Sequence, residues 1–142
     1  IFIAGMPMSA STKVKNMCST VWKNITPHIG SISNSDYLTL LSKYAFTICV
    51  HGGGLDPNPK LFEAILVGTI PIIRKNEPHT TLYHKYDLPV VIVDDWNEKS
   101  ITYEKLLLWH KKYISYFTDS IKRKNTLEKL TMDFWVNIIK TI

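Results

Sequence analysis

Three stretches of this chain stay apolar and β-branched over consecutive positions: "AFTICVH" before Gly52, "TIPIIR" after Gly68 and "LPVVIVDDW" before Asn97. A strand with one wet face alternates apolar and polar side chains, whereas a strand without alternation must be covered on both faces. That requirement points to a parallel sheet sandwiched between helices. "IFIAG" at the start reads as a further buried strand, and "HIGSIS" as a short one weakened by Gly30. Helical segments fall between them. "STKVKNMCSTVWKNI" places Val14, Met17, Val21 and Ile25 at helical spacing, with Ser11 or Thr12 as cap and Pro27 as stop. "SDYLTLLSKY" is expected as a helix capped by Ser35, an apolar helix is expected from about Pro59 to Val67, and "HTTLYHKY" as a short helix or turn. Strands alternating with helices imply right-handed crossovers. The expected fold class is α/β: a Rossmann-like doubly wound parallel sheet with helices on both faces. Two long amphipathic segments follow Trp96 and predict a C-terminal helical pair. The first carries Tyr103, Leu106, Leu107, His110, Tyr113, Ile114 and Phe117 on one face, and the second, from about Thr126 to Thr141, carries Leu127, Leu130, Phe134 and Ile138.

With 142 residues, 45% apolar and 20% charged, the chain suits one globular domain. No apolar run approaches the ~20 residues of a membrane span. The sequence starts at Ile1, directly in a strand pattern, so a fragment whose N-terminal portion is missing is expected. The formal net charge is +5. Lys122, Arg123 and Lys124, with Lys111, Lys112, Lys129 and Lys140, read as solvated helix faces, and the basic balance also suits an anionic ligand. Aromatic and basic residues do not interleave as in a nucleic-acid module. Cys18 and Cys49 read as buried free thiols, since two cysteines make no disulfide framework. The five histidines are scattered, and no metal site is expected.

"GGGLDPNPKLFEAILVGTIPII", from Gly52 to Ile73, is the densest candidate for chemistry. In parallel sheets ligands sit beyond the carboxyl ends of the strands. Gly52, Gly53 and Gly54 allow backbone to approach a ligand closely. Asn58 suits an N-cap and Pro59 a first helical position. A helix start offers unpaired N–H donors and partial positive charge, and Lys60 adds a full one, an arrangement suited to phosphate. A tight turn needing glycine for shape alone is the competing reading. The spacing matches neither the P-loop nor the dinucleotide fingerprint. Glu63 lies on a helix otherwise made of Leu61, Phe62, Ala64, Ile65, Leu66 and Val67. It either accepts hydrogen bonds from ribose hydroxyls or pairs with Lys60 along a solvated strip.

"KLFEAILVGTIPII" closely resembles the C-terminal signature of exostosin-like glycosyltransferases, R-L-[FY]-[DE]-A-[IL]-x-x-G-x-I-P-V-I. "SKYAFTICVHGGG" resembles the family's upstream stretch and "LPVVIVDDW" its downstream one. The resemblance covers about Ser42 to Trp96. It implies a nucleotide-sugar donor domain of the two-domain GT-B architecture, with a UDP-sugar favoured. The acid matching Glu63 would bind the ribose, the basic residue matching Lys60 the diphosphate, and the loop matching His51 and Gly52 to Gly54, with Asn58, would admit the donor. It implies a hexosyl- or pentosyltransferase that needs no metal and no cofactor beyond the donor substrate, with a glycan or protein as acceptor. It also suggests a Golgi or secretory lumen, or the cytoplasm for a viral or bacterial protein. The sequence departs from the pattern in three places. Lys60 replaces an arginine and loses its bidentate fork. His51 replaces a proline, and Asp56 is offset from the family's acid. No catalytic residue is assigned, and His51 and Asp95 are the in-chain candidates for a base near strand ends. The alternative is a non-catalytic nucleotide- or phosphate-binding module, Rossmann- or flavodoxin-like. Trp135 and Ile139 widen the apolar stripe of the last helix, which predicts that one of them covers the other domain or a second copy.

Overall fold

The computed structural model describes residues 2–4, 9–26, 28–30, 33–50, 60–76 and 79–142. Their order is β1 (Phe2–Ala4), α1 (Ser9–Ser19), β2 (His28–Gly30), α2 (Asn34–Leu41), β3 (Phe46–Ile48), α3 (Lys60–Val67), β4 (Ile70–Arg74), α4 (His79–Lys85) and β5 (Val91–Val93). Then come α5 (Tyr103–Tyr113), α6 (Ser115–Thr118), α7 (Ser120–Glu128) and α8 (Met132–Lys140). The expected α/β class holds: the strands form one five-stranded sheet in the order β2-β1-β3-β4-β5, and all its neighbours are parallel. Thr47 lies opposite Pro71, and Ile73 opposite Ile92.

Alternate residues of a strand point to opposite faces, and both faces are covered here. On one, Phe46, Ile48, Ile70, Ile72, Val91 and Val93 pack with Val14 and Cys18 of α1 and with Leu106, Trp109 and Tyr113 of α5. On the other, Cys49, Ile73, Val90 and Ile92 pack with Leu61 and Ile65 of α3 and Tyr83 of α4. This double burial is why the strand sequences lack alternation. Leu41, with Tyr37 and Tyr44, joins Ala64 of α3 to seat α2 beside it. Cys18 and Cys49 are both buried and unpaired, as expected.

Several expectations are corrected. α1 begins at Ser9, so Ser11 and Thr12 lie inside it rather than capping it. It ends at Ser19, and the turn that follows puts Trp22 in the core and leaves Val21 half exposed. Thr26 Oγ1 closes that turn on the carbonyls of Trp22 and Cys18. The N-cap position of α2 is Ser33, not Ser35, and its hydroxyl donates to the Asp36 carboxylate rather than capping a backbone N–H. Cys49 lies one residue past β3, although its N–H still donates to the Ile72 carbonyl at 2.9 Å.

The C-terminal helical pair is instead four pieces. Asp119 adopts an extended backbone and accepts hydrogen bonds from the N–H groups of Ile121 and Lys122, which starts α7 afresh. Thr131 does the same for α8, accepting from Phe134 N. The apolar rhythm continues across both breaks, so periodicity alone hides them. On α5 the inward residues are Leu106, Trp109 and Tyr113, whereas Tyr103, Leu107 and His110 are exposed. Thr102 caps this helix, its side chain accepting from the Lys105 N–H.

Candidate functional site

α3 leaves the carboxyl end of β3, where doubly wound sheets place their ligands. Its apolar residues set its orientation. Leu61, Ala64 and Ile65 are fully buried, which pins that stripe to the sheet and to α2. Lys60 and Glu63 therefore fall together on a half-buried flank of the first turn. The expected partners Asn58 and Pro59, the loop residues His51, Gly52, Gly53 and Gly54, and Asp56 all lie outside the described residues.

The surroundings of this flank are unusually well defined by charge. Burial pushes the Lys60 ammonium below its ordinary range. Cys49 and Glu63 act in the opposite sense, and Lys15, from α1 on the other face of the sheet, depresses it further. Burial pushes the Cys49 thiol up to about 12, with Lys60 pulling down and Glu63 adding to the rise. At neutral pH Cys49 is thus a thiol with no nucleophilic fraction. Tyr37, on α2, is raised by burial, with Cys49 and Glu63 adding to the rise. Lys60 and Glu63 of α3 and Cys49, just past β3, thus act on one another, Lys15 of α1 acts on Lys60, and Cys49 and Glu63 act on Tyr37 of α2.

Sequence reading finds Lys60 and Glu63 but misses Lys15 and Tyr37. Lys15 is one of several lysines on a polar-looking helix, and Tyr37 is one aromatic among seven tyrosines. Lys15 is brought toward Lys60 by the sheet order, which sets β1 with its following helix beside β3, and Tyr37 by the packing of α2 on α3. The set provides cations for an anion, and an acceptor, Glu63, for hydroxyl groups.

Asp95 is elsewhere. It stands just past β5, two strands from β3, in a 4.0 Å ion pair with Arg74, both side chains about half exposed. One of its oxygens accepts from the Trp96 N–H at 2.8 Å, and its carbonyl accepts from the Ser100 hydroxyl. These contacts make it part of the turn that follows β5. Among the described residues, no group of three or more His, Cys, Asp or Glu could hold a metal ion. No helix of the described residues is long and apolar enough to cross a membrane.

The far end of α3 is also held. Arg123 of α7 donates to the carbonyls of Ile65 and Leu66, each at 2.8 Å, while its guanidinium lies 5.3 Å from the Phe117 ring centre. The basic run 122–124 is thus not wholly a solvated face, because its central residue ties α7 to α3.

No family model matches the chain, and no curated protein matches it.

Proposed function

We propose that this chain is the donor-binding domain of a glycosyltransferase. It would hold a nucleoside diphosphate sugar, with uridine favoured, at the carboxyl end of β3 for transfer to a glycan or protein acceptor. The observation that carries the reading is the seating of Lys60 and Glu63 together on the first turn of α3 at that end of the sheet. Glu63 would accept hydrogen bonds from the ribose hydroxyls. Lys60, with Lys15 opposite, would face the diphosphate, whose growing negative charge during transfer such cations and a helix start stabilise. The resemblance of "KLFEAILVGTIPII" to the exostosin-like signature supports the same roles and a Rossmann-like donor domain of the GT-B type. No residue of this chain is given the part of catalytic base, which belongs to a second domain in this architecture.

One observation favours a second reading. The order β2-β1-β3-β4-β5 is the flavodoxin-like doubly wound order, which suits a non-catalytic phosphate- or nucleotide-binding module. Isothermal titration with UDP, GDP, UMP and inorganic phosphate separates the two. The donor reading expects diphosphates to bind more tightly than UMP. Glu63→Ala should then weaken UDP by about 1–3 kcal/mol, the loss expected for a charged hydrogen bond, with little change in melting temperature. Phosphate binding indifferent to both nucleoside and Glu63 would leave the module. Unaltered UDP affinity in the variant would remove the ribose role of Glu63.

A further inference from the structure

α8 shows the fold two apolar sides, and only one is used. Phe134 and Ile138 are half-buried, Phe134 lies 5.9 Å from Tyr86, and Trp135 stacks edge-on to Tyr86 at 5.1 Å while donating to the Lys129 carbonyl. Of the two residues expected at an interface, Trp135 is thus mostly engaged within the chain. The other side is Met132, Val136 and Ile139, which are 78%, 40% and 69% exposed. At about 100° per residue these three fall within an arc of roughly 60°. Scattered exposed apolar residues are ordinary, but a contiguous stripe marks a contact surface. We propose that this stripe packs antiparallel on the same stripe of a second copy of the chain, in a two-fold dimer centred on Val136.

Charge placement selects this partner and this direction. Asp133 near the start of the helix and Lys140 near its end lie on the same flank of the stripe, about 20° apart around the axis. In an antiparallel two-fold pair, like flanks meet. Val136 then faces Val136, Met132 faces Ile139, and Asp133 of each copy faces Lys140 of the other, twice by symmetry. A parallel two-fold pair would put the two copies of this flank on opposite sides of the seam, where Asp133 and Lys140 lie at different heights and do not meet. α8 has nine residues and spans only about 13 Å. The buried area therefore falls short of the ~1,200–2,000 Å² of stable complexes, so the dimer is weak and forms at high concentration.

Sedimentation equilibrium on the chain at low salt, from micromolar to millimolar concentration, tests this. A monomer–dimer equilibrium is expected, and Val136→Lys should abolish it while circular dichroism shows the fold retained. Asp133→Lys and Lys140→Asp should each weaken self-association about tenfold, as two exposed pairs become repulsive. An equimolar mixture of those two variants should associate as the parent does, because their heterodimer restores both pairs. A monomer at every concentration would overturn the proposal and hand the stripe to a different protein. So would a dimer that ignores Val136→Lys, or a mixture no better than its components.

Discussion

α3 and α4 end in the same hydrogen-bond pattern with different residues at its key position. After α3, Gly68 N–H donates to Ile65 and Thr69 N–H to Ala64, and Gly68 takes a left-handed backbone, φ 88°. After α4, Asp87 N–H donates to His84 and Leu88 N–H to Tyr83, and Asp87 takes φ 52°. Both are Schellman endings, in which the residue after the cap must turn left-handed. Glycine does so freely, whereas aspartate tolerates it at a cost. The aspartate here has side-chain work that a glycine could not do. Its carboxylate accepts a 2.6 Å bond from Tyr116, while Lys129 donates at 3.4 Å to its backbone carbonyl, as it could to a glycine's. The glycine of α3 has no side chain to anchor, and that helix is tied down by Arg123 instead. Both endings are thus fastened by the C-terminal helices, one through backbone carbonyls and one through the turn residue itself. A left-handed position is filled by what the rest of the chain brings to it.

Breaking the fastenings one at a time sharpens this difference, with stability read from denaturant midpoints at constant slope. The largest effect is expected for Arg123→Met, which keeps the bulk over Phe117 but leaves the carbonyls of Ile65 and Leu66 without the guanidinium. It should cost about 1.5–3 kcal/mol, the range for hydrogen bonds to a charged group. A loss under about 0.5 kcal/mol, the size of an ordinary surface change, would show that α3 needs no clamp. Next comes Gly68→Ala. A Cβ at Gly68 would meet nothing within 4 Å, so only the left-handed backbone is penalised, by about 1 kcal/mol. Asp87→Gly should be close to neutral, since relief of the same strain offsets loss of the Tyr116 bond. A cost for Asp87→Gly as large as that for Gly68→Ala would mean the side-chain bond to Tyr116 outweighs the backbone strain. Tyr116→Phe falls between these two, at about 0.5–1 kcal/mol for one exposed hydrogen bond, and its effect should vanish in the Asp87→Gly background. Failure of that double mutant to show coupling would separate Tyr116 from the α4 ending.

The parts of this molecule that are legible in its sequence are those set by burial. β3, β4 and β5 announce themselves because both faces are covered, and α3 because Leu61, Ala64 and Ile65 must meet the sheet. Gly68 is legible too, since a glycine between a helix and a strand marks a helix ending. Asp87 gives no such signal, because the need for a left-handed residue there comes from local geometry and its tolerance from Tyr116, twenty-nine positions away. Arg123 is hidden for a related reason: a basic run looks alike whether it faces water or a helix end. The breaks before α7 and α8 are hidden because Asp119 and Thr131 interrupt the backbone without interrupting the apolar rhythm. At the candidate site, Lys60 and Glu63 are local to one motif and can be read. Lys15 arrives through sheet order and Tyr37 through the packing of α2 on α3, which no single stretch encodes.

The contact between Arg123 and α3 also sets an order of events during synthesis. Ile65 and Arg123 are 58 residues apart. At about 5–20 residues per second the ribosome delivers the arginine roughly 3–12 s after the helix end it binds. An isolated helix forms and melts in about a microsecond, so α3 samples that interval many times over with its last turn unfastened. A chain stopped before residue 120 would carry all of the described strands yet leave the final turn of α3 open to exchange, because its fastening comes from α7.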